Sequence, residues 1–330
     1  TKDFERGGQV YVAYTGNNAS DQYAVRISGG SDIPSLSVYG KAEAERRAAI
    51  EAYVEELGAY VGKIEENHGT QHVNTENAKY DYDQTNCILN ENDIMMEDMM
   101  YSLPATQIWA GIQSAQDKVT KLDNALKAME DTMTLFYQHK GLSDDAGTTH
   151  GKNAMPSQHL NIRYMRMFAG AFMYASGNHI GIEWGSSALS GPNDMSGFGW
   201  GIAHEIGHDI NQGSYAVAEV TNNYFAQLLT GKIRYTYDNV YKKVTSGSVG
   251  RASNVFTQLA LYWQLHLAFD DQADDRHIYD NYEEQFNNLF FARVDTYSRN
   301  PAMAPQEGLA LNGGSDQNLM RLAGAAANKN

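Results

Sequence analysis

The stretch that decides both the fold and the chemistry is residues 197–223, GFGWGIAHEIGHDINQGSYAVAEVTNN. It places His204 and His208 four residues apart in a segment typical of a helix, so both imidazoles should project from one face. Glu205 lies between them in sequence. Neutral imidazoles suit zinc, and a neighbouring carboxylate can take the proton of a water that the metal activates. The sequence therefore predicts a catalytic zinc site with Glu205 as the general base.

A catalytic zinc needs a third protein ligand, and two continuations of this motif would supply one. The first requires a glycine and then a histidine downstream, but those positions hold Asn211 and Ser214. The second takes a glutamate from the next helix. Residues 211–213 are typical of a turn and Ser214 can cap a new helix, which would put Glu219 about one turn inside it. We therefore predict Glu219 as the third ligand of a single zinc ion, with Asn223 holding a ligating histidine by a hydrogen bond.

The composition argues against several other classes of protein. The chain has 330 residues, of which 42% are hydrophobic, so it can bury a sizeable core. A net charge of −15 disfavours nucleic acid or an anionic membrane surface as a partner, because both are polyanions. No apolar run approaches the roughly 18–20 residues of a membrane span, and the first residues do not resemble a secretion signal. Cys87 is the single cysteine, which excludes an intrachain disulfide.

The hydrophobic pattern predicts an α+β fold in two parts. Residues 1–155 begin with alternating apolar positions over 8–39, typical of two or three strands, and continue with helical periodicity. The longest periodic segment begins at Pro104 and predicts one helix of about 35 residues. Residues 156–330 should contain strands at 160–168 and 171–184, the second broken near residues 176–178, then the metal site, then a mainly helical C-terminal region.

The metal-site motif resembles a known family over a run of characteristic residues. These are Trp200, the sequence His-Glu-Ile-Gly-His at 204–208, and Glu-Val-Thr-Asn-Asn at 219–223. They resemble the enhancin-like zinc peptidases (metallopeptidase family sixty), which include viral enhancins and bacterial mucin-degrading proteases. The strand-like segments 8–12 and 172–184 extend the resemblance along the chain. Members usually continue beyond a final helix like residues 316–327, where this chain stops, as a truncated member would.

This resemblance implies a gluzincin fold, with a mixed sheet, an active-site helix carrying HExxH and a mainly helical C-terminal part. It implies zinc ligands at His204, His208 and Glu219, with Glu205 as the general base. At the level of the family it also implies cleavage of heavily O-glycosylated proteins such as mucins, outside the cell.

Candidates for substrate contact lie on both sides of the motif. Gluzincins bind peptide by strand addition beside the metal helix, so we predict by this analogy that substrate pairs with an exposed edge at residues 180–184, with contacts from Gly181, Ile182, Glu183 and Trp184. The alternative is that Trp184 belongs to the core. Trp200, one helical turn before the first histidine, could stack on a sugar or simply pack. Three residues are candidate oxyanion donors: Tyr262, His266 and Tyr282.

Three functional hypotheses remain open from the sequence. The leading one is a secreted or cell-surface zinc endopeptidase that acts as a monomer on O-glycosylated proteins. The second is a glycan-binding or adhesion module whose zinc site is structural and inactive, which the intact Glu205 disfavours. The third is a gluzincin peptidase that does not require a glycan.

Overall fold

A mixed six-stranded sheet runs through the part of the chain that the structure describes. This computed structural model describes residues 10–12, 24–29, 32–68, 89–146, 151–156, 160–165, 172–183, 198–271 and 275–328. The strands are β1 (Ser35–Ser37), β2 (Asn92–Met95), β3 (Met99–Leu103), β4 (Leu160–Met165), β5 (Met173–Ser176) and β6 (His179–Glu183). They lie in the order β1-β2-β3-β4-β6-β5, so β1 and β5 are the two terminal strands of the described sheet.

Both orientations of strand pairing occur in this sheet. β1 pairs in parallel with β2, β3 with β4, and β4 with β6, whereas β2–β3 and β5–β6 are antiparallel hairpins. Ser176 pairs with His179, so the second hairpin has a two-residue turn whose first residue, Gly177, has φ +69°. The predicted α+β class with a mixed sheet is confirmed, as is the strand break near residues 176–178.

The described residues form ten α-helices around this sheet. They are α1 (Glu43–His68), α2 (Ala105–Ile112), α3 (Lys118–His139), α4 (Trp200–Asp209), α5 (Asn222–Thr230), α6 (Tyr237–Thr245), α7 (Val255–Phe269), α8 (Tyr282–Asn288), α9 (Phe290–Arg299) and α10 (Ser315–Ala327). The expected helical character of the C-terminal region is therefore observed. None of the described helices combines the length and apolar character needed to cross a bilayer.

The single long helix predicted after Pro104 is wrong, because two helices share its apolar stripe. α2 ends at Ile112, and α3 begins anew after Asp117, whose Oδ1 accepts a hydrogen bond from the Thr120 backbone N–H at 2.9 Å. This side-chain cap satisfies a backbone donor at the start of α3. Both helices pack against α1, which explains why the stripe continues across the break.

The predicted N-terminal strands are also largely wrong. Residues 10–12 and 24–29 lie outside any strand, and β1 is the one strand found within the described residues of 8–39. The remaining residues of that prediction lie outside the described part of the chain. β1 pairs in parallel with β2, which lies more than fifty residues further along the chain, so its described partner is not a neighbour in sequence.

One continuous apolar core joins the two parts of the chain. α1 and α3 contribute faces of nearly inaccessible side chains, and α4 and α5 contribute smaller ones to the same cluster. These include Ile50, Leu57, Ile64, Leu122, Met129, Phe136, Ile202, Ile206 and Phe225. α4 is therefore anchored by one buried face, and its opposite face is free to carry functional side chains.

Candidate metal centre

Helix α4 presents the two predicted histidines on one face. It buries Ile202, Ala203 and Ile206, while the side chains of His204 and His208 are 18% and 24% exposed. The spacing of four residues brings their ring centroids to 4.8 Å from each other. The motif thus lies on a helix, as the sequence predicts, with both imidazoles accessible from one side.

Glu219 reaches these histidines from a turn, which corrects the predicted helix. Ser214 does not cap a helix: its hydroxyl lies 2.5 Å from that of Ser298, and α5 begins only at Asn222. Glu219 has φ +64°, and it is the one non-glycine residue with positive φ among the described residues. Left-handed backbone cannot continue an α-helix, so this residue must precede α5.

Side-chain hydrogen bonds hold the turn that carries Glu219. The Thr221 hydroxyl accepts from the Val217 backbone N–H at 3.0 Å and lies 3.1 Å from the Val217 carbonyl oxygen. The left-handed conformation of Glu219 costs about 1 kcal/mol or more, so the surrounding contacts must outweigh it. Backbone strain at a residue whose side chain contacts two imidazoles is typical of a functional position.

The donor atoms of the three predicted ligands converge. The Nε2 atoms of His204 and His208 are 3.2 Å apart, and the Glu219 carboxylate oxygens lie 3.3 Å and 3.1 Å from them, respectively. Donors of a tetrahedral zinc with bonds of about 2.0–2.2 Å are separated by roughly 3.3–3.6 Å. The observed spacing and the N,N,O donor set therefore fit one zinc ion. The Glu219 side chain is 57% exposed, which leaves an approach from solvent.

Asn223 links the first histidine to the turn. Its Nδ2 donates to the Glu219 carbonyl oxygen at 2.7 Å, which fixes the orientation of the amide. Its Oδ1 consequently faces Nδ1 of His204 at 2.7 Å and accepts a hydrogen bond from the Nδ1–H group. A proton on Nδ1 leaves the Nε2 lone pair for a metal.

Asn222 is a neighbour of the site that sequence reasoning missed. Its Nδ2 lies 3.1 Å from Nε2 of His204 and 3.0 Å from Nε2 of His208, and the side chain is fully buried. Its adjacency to Asn223 in the first turn of α5 is the one signal that could have drawn attention to it.

The electrostatics of the centre suit a base beside neutral ligands. Burial raises the pKa of Glu205, with His204 opposing this rise and Glu219 adding to it. Burial and the neighbouring His204 lower the pKa of His208, although Glu219 works against this, so the imidazole favours its neutral form. A carboxylate with a raised pKa is a better proton acceptor near neutral pH than an ordinary one.

The predicted exposed edge at residues 180–184 is wrong over its described part. Ile180, Gly181 and Ile182 pair with β4 on one side and with β5 on the other, and Glu183 also pairs with β4. An interior strand has no free backbone groups for an added peptide. Trp184 lies outside the described residues.

The contacts of Trp200 favour packing within the protein over stacking on a sugar. The Arg234 guanidinium lies 4.3 Å from the centroid of its indole ring, and the Phe256 ring meets it edge-on at 6.2 Å. The Trp200 side chain is partly buried against the core. A sugar that stacked on this ring would have to compete with the cation–π contact.

Two of the oxyanion candidates are engaged in the interior. His266 has a carboxylate against each ring nitrogen, from Asp270 at 2.7 Å and from Asp275 at 2.9 Å. The Tyr282 hydroxyl is bonded to Asn153 and Thr296. Tyr262 is also buried, at 6% exposure.

A second cluster of potential metal ligands surrounds the Tyr224 hydroxyl and is better described as a hydrogen-bonded network. Donor atoms of His139, His266 and Asp270 lie within 4.8 Å of one another, but the Tyr224 hydroxyl contacts Nδ1 of both histidines, at 2.8 Å and 3.1 Å. Burial tends to lower the pKa of His266, but Asp270 and Asp275 outweigh burial and raise it. An imidazolium held between two carboxylates has no lone pair for a metal.

His139 should make the fold sensitive to acid. Burial lowers its pKa to about 4, so between about pH 6.5 and pH 4 the unfolded chain takes up a proton that the folded one refuses. The free energy of unfolding should therefore fall by about 3 kcal/mol over this window through His139 alone. Urea unfolding of the wild type and of His139→Gln should show this difference. The exposed His277, changed to Gln, is the control and should leave the pH dependence as in the wild type.

Gly207 allows the close contact between α4 and α5. A Cβ there would lie 2.4 Å from the Asn222 carbonyl oxygen and 2.9 Å from its Cα, and backbone atoms cannot rotate away. Gly207→Ala should therefore destabilise the fold by about 1–3 kcal/mol and weaken zinc binding, despite the better helix propensity of alanine. Gly62→Ala in α1, where nothing lies within 4 Å, should instead be neutral or stabilise by up to about 1 kcal/mol. Equal effects of the two changes in urea unfolding would contradict this interpretation.

Comparison with known proteins places the chain in a family. A family model described as peptidase M60, enhancin and enhancin-like, matches residues 71–288, which is more than half of the chain. A comparison with curated proteins finds no match. The match includes all of the residues that carry the metal centre.

Solved structures of this family share the fold. The M60 catalytic domain of ZmpC from Clostridium perfringens, in complex with the sialyl T antigen, has a TM-score of 0.57 and 20% identity over 92% of this chain and 51% of that chain. The M60 catalytic domain of ZmpB from Clostridium perfringens, solved with two CBM51 domains, has a TM-score of 0.57 and 19% identity, over 91% of this chain and 27% of that chain. The IMPa metallopeptidase from Pseudomonas aeruginosa has a TM-score of 0.54 and 14% identity, over 89% of this chain and 35% of that chain.

This chain spans about half or less of the length of those proteins. At identities of 20% or lower the likeness establishes the fold alone, whereas the family model rests on the sequence. The mixed sheet and helices agree with the M60 catalytic domain. The chain belongs to the enhancin and enhancin-like M60 peptidase family, whose members are zinc-dependent metallopeptidases.

Proposed function

We propose that this metallopeptidase is a zinc endopeptidase that hydrolyses peptide bonds in O-glycosylated proteins such as mucins. In this proposal one zinc is held by His204, His208 and Glu219. The observation that carries it is the convergence of their three donor groups, spaced 3.1–3.3 Å apart, beside Glu205, whose carboxylate lies within 4.8 Å of the donor atoms of both histidines.

The residues of the centre divide the chemistry between them. A bound zinc would supply Lewis acidity, which activates a water and polarises the scissile carbonyl. Glu205 accepts the proton of the attacking water and passes it to the leaving nitrogen. Its raised pKa, caused mainly by burial, favours both transfers near neutral pH. Asn223 keeps the proton of His204 on Nδ1.

We propose β5, in place of β6, as the strand that receives the substrate backbone. β5 is the terminal strand of the described sheet, paired on one side by β6. It begins beside the first turn of α4, because a Cβ at Gly201 would lie 3.1 Å from Met173 Sδ. A peptide added alongside β5, on the side away from β6, would therefore run next to the active-site helix.

The substrate class rests on the relatives. The ZmpC catalytic domain was solved with the sialyl T antigen, which supports a glycosylated substrate for this chain as well. We propose that the chain acts outside the cell, where mucins are found, and that it acts as a monomer. Its net charge of −15 also makes a polyanionic partner such as nucleic acid unfavourable.

One incubation tests this function against its alternatives. The protein is mixed with an O-glycosylated mucin, with the same mucin after enzymatic removal of the glycans, and with each in the presence of a zinc chelator. Cleavage of the glycosylated form alone, abolished by the chelator, supports the proposal. Equal cleavage of both forms would indicate a peptidase without a glycan requirement. Glycan binding without any cleavage would indicate an inactive binding module.

A further inference from the structure

Tyr215 ties the turn that carries Glu219 to the interior of the protein. Its side chain is buried, and its hydroxyl donates a hydrogen bond to Asp295 Oδ1 in α9 at 2.8 Å. The proposed mechanism does not use Tyr215, although it lies only four residues before the proposed third ligand. The Glu219 side chain is 57% exposed and its backbone is strained, so its place beside the imidazoles depends on how the turn is held.

Asp295 is a firm anchor because its own charge is compensated. Lys140, which follows the last residue of α3, places its Nζ 2.8 Å from Asp295 Oδ2, and both side chains are buried. A buried carboxylate needs such a partner, and a hydrogen bond to an ionised acceptor is about twice as strong as a neutral one. The Tyr215 hydroxyl therefore joins the turn to α3 and α9 at once.

The residue before Tyr215 is tied to the C-terminal helices as well. Ser214 Oγ lies 2.5 Å from Ser298 Oγ in α9, and the Ser214 carbonyl oxygen accepts from Asn318 Nδ2 in α10 at 2.8 Å. The first half of the turn is thus anchored to α9 and α10, and the start of α5 fixes its other end. The proposed ligand Glu219 lies between these two fixed points.

We propose that Tyr215 is a positioning residue of the metal centre: together with Ser214 it anchors to α9 the turn that brings the Glu219 carboxylate to the two histidines. Tyr215 acts through Glu219. Without the hydroxyl the ligand atoms are all still present, but zinc binding must first order a turn that is otherwise ordered in advance, which weakens the affinity. This inference rests on the proposed metal site.

Tyr215→Phe removes the hydroxyl and keeps both the ring and the buried ion pair. We expect zinc binding to weaken by about 3–10-fold in competition with a chromophoric chelator, which is less than the roughly 10–100-fold expected for a group that contacts a ligand directly. We also expect a changed visible spectrum of the cobalt-loaded protein, because its bands depend on the number and arrangement of the ligands.

Tyr53→Phe is the matched control for this change. Tyr53 in α1 is equally buried, and its hydroxyl donates to Asn92 Oδ1 in β2 at 2.7 Å. The control therefore loses a buried hydrogen bond of the same kind, away from the turn. It should lower the free energy of unfolding in urea while leaving the zinc affinity and the cobalt spectrum as in the wild type.

A double-mutant cycle shows whether Tyr215 acts through Glu219. In a Glu219→Ala background the proposed ligand is absent, so Tyr215→Phe should weaken zinc binding no further. An equal further loss in that background would overturn the role. Ser298→Ala, which removes the contact with Ser214, should be non-additive with Glu219→Ala in the same way. It replaces Tyr215→Phe in the cycle should that variant not fold, and an additive effect would then overturn the anchoring by α9.

The possible failures are distinguishable. If the wild-type protein binds no zinc, or if Glu219→Ala binds zinc as the wild type does, the proposed metal site is overturned, and the role of Tyr215 with it. If the wild type binds zinc and Glu219→Ala loses affinity, but Tyr215→Phe binds zinc as tightly as Tyr53→Phe, only the role of Tyr215 is overturned.

Discussion

Glu205→Gln is expected to lower the rate of peptide hydrolysis by about 10²–10⁴-fold while zinc stays bound. The amide of glutamine cannot accept the proton of the attacking water, so the general base is lost. The three converging donors belong to His204, His208 and Glu219, so the ligand set is intact in this variant. Turnover of a mucin substrate and the zinc content after dialysis measure the two effects separately.

The control for this change is Glu51→Gln. Glu51 is 55% exposed on α1 and pairs with Arg47 in the solvent, where such a pair contributes little. This variant should match the wild type in both measurements. A Glu205→Gln protein with near wild-type turnover would refute the assignment of the base, and one that lost its zinc would make Glu205 a ligand instead.

Glu219 should affect zinc affinity and the stability of the metal-free fold in separable ways. Both Glu219→Ala and Glu219→Gly remove the proposed third ligand, so zinc affinity should fall by more than the roughly 100-fold that loss of an outer partner can cause. The φ of +64° strains alanine but not glycine. The metal-free Gly variant should therefore be about 1 kcal/mol more stable than the Ala variant.

Chelator competition and urea unfolding of the metal-free proteins provide the two measurements for Glu219. Glu307→Ala, which removes an exposed carboxylate elsewhere, is the control and should retain the zinc affinity of the wild type. Wild-type zinc affinity in Glu219→Ala would exclude the residue as a ligand. Equal stability of the Ala and Gly variants would argue against backbone strain at this position.

The histidine pair could be predicted from sequence because its geometry is local. A spacing of four residues on one helix fixes the relative position of His204 and His208 without any knowledge of the rest of the fold. Glu219 could be selected by residue type and distance along the chain. Its left-handed backbone could not, because non-glycine residues disfavour that region and contacts within the folded turn, such as those of Thr221 and Asn223, stabilise it.

The errors in the sheet arise from contacts distant in sequence. Residues 179–183 form a strand as expected, but whether that strand is an edge depends on its neighbours. β4 and β5 take both of its sides, and no local pattern reports such pairing. The sequence therefore predicts substrate binding at a strand that lies inside the sheet. The order of the strands indicates β5 instead.

The break between α2 and α3 has a local signal in the sequence, the capping residue Asp117, but the continuous apolar stripe favours a single helix. Asp117 is a favourable residue for a helix start, yet the apolar stripe of Ile112 and Leu122 continues across it. Periodicity reports the face that packs, not the continuity of the helix. The contacts of Asn222 with both imidazoles cannot be predicted from sequence for a similar reason, since they depend on the close approach of α5 to Gly207.

We expect one zinc ion to be bound by two imidazoles of α4 and by the carboxylate of the following turn. A crystal structure of the zinc-loaded protein, with an anomalous difference map at the zinc absorption edge, would locate this ion. We predict one strong peak within about 2.0–2.2 Å of Nε2 of His204, Nε2 of His208 and a carboxylate oxygen of Glu219. A peak located instead at the cluster of His139, His266 and Asp270, or no peak between the two α4 histidines, would contradict the account.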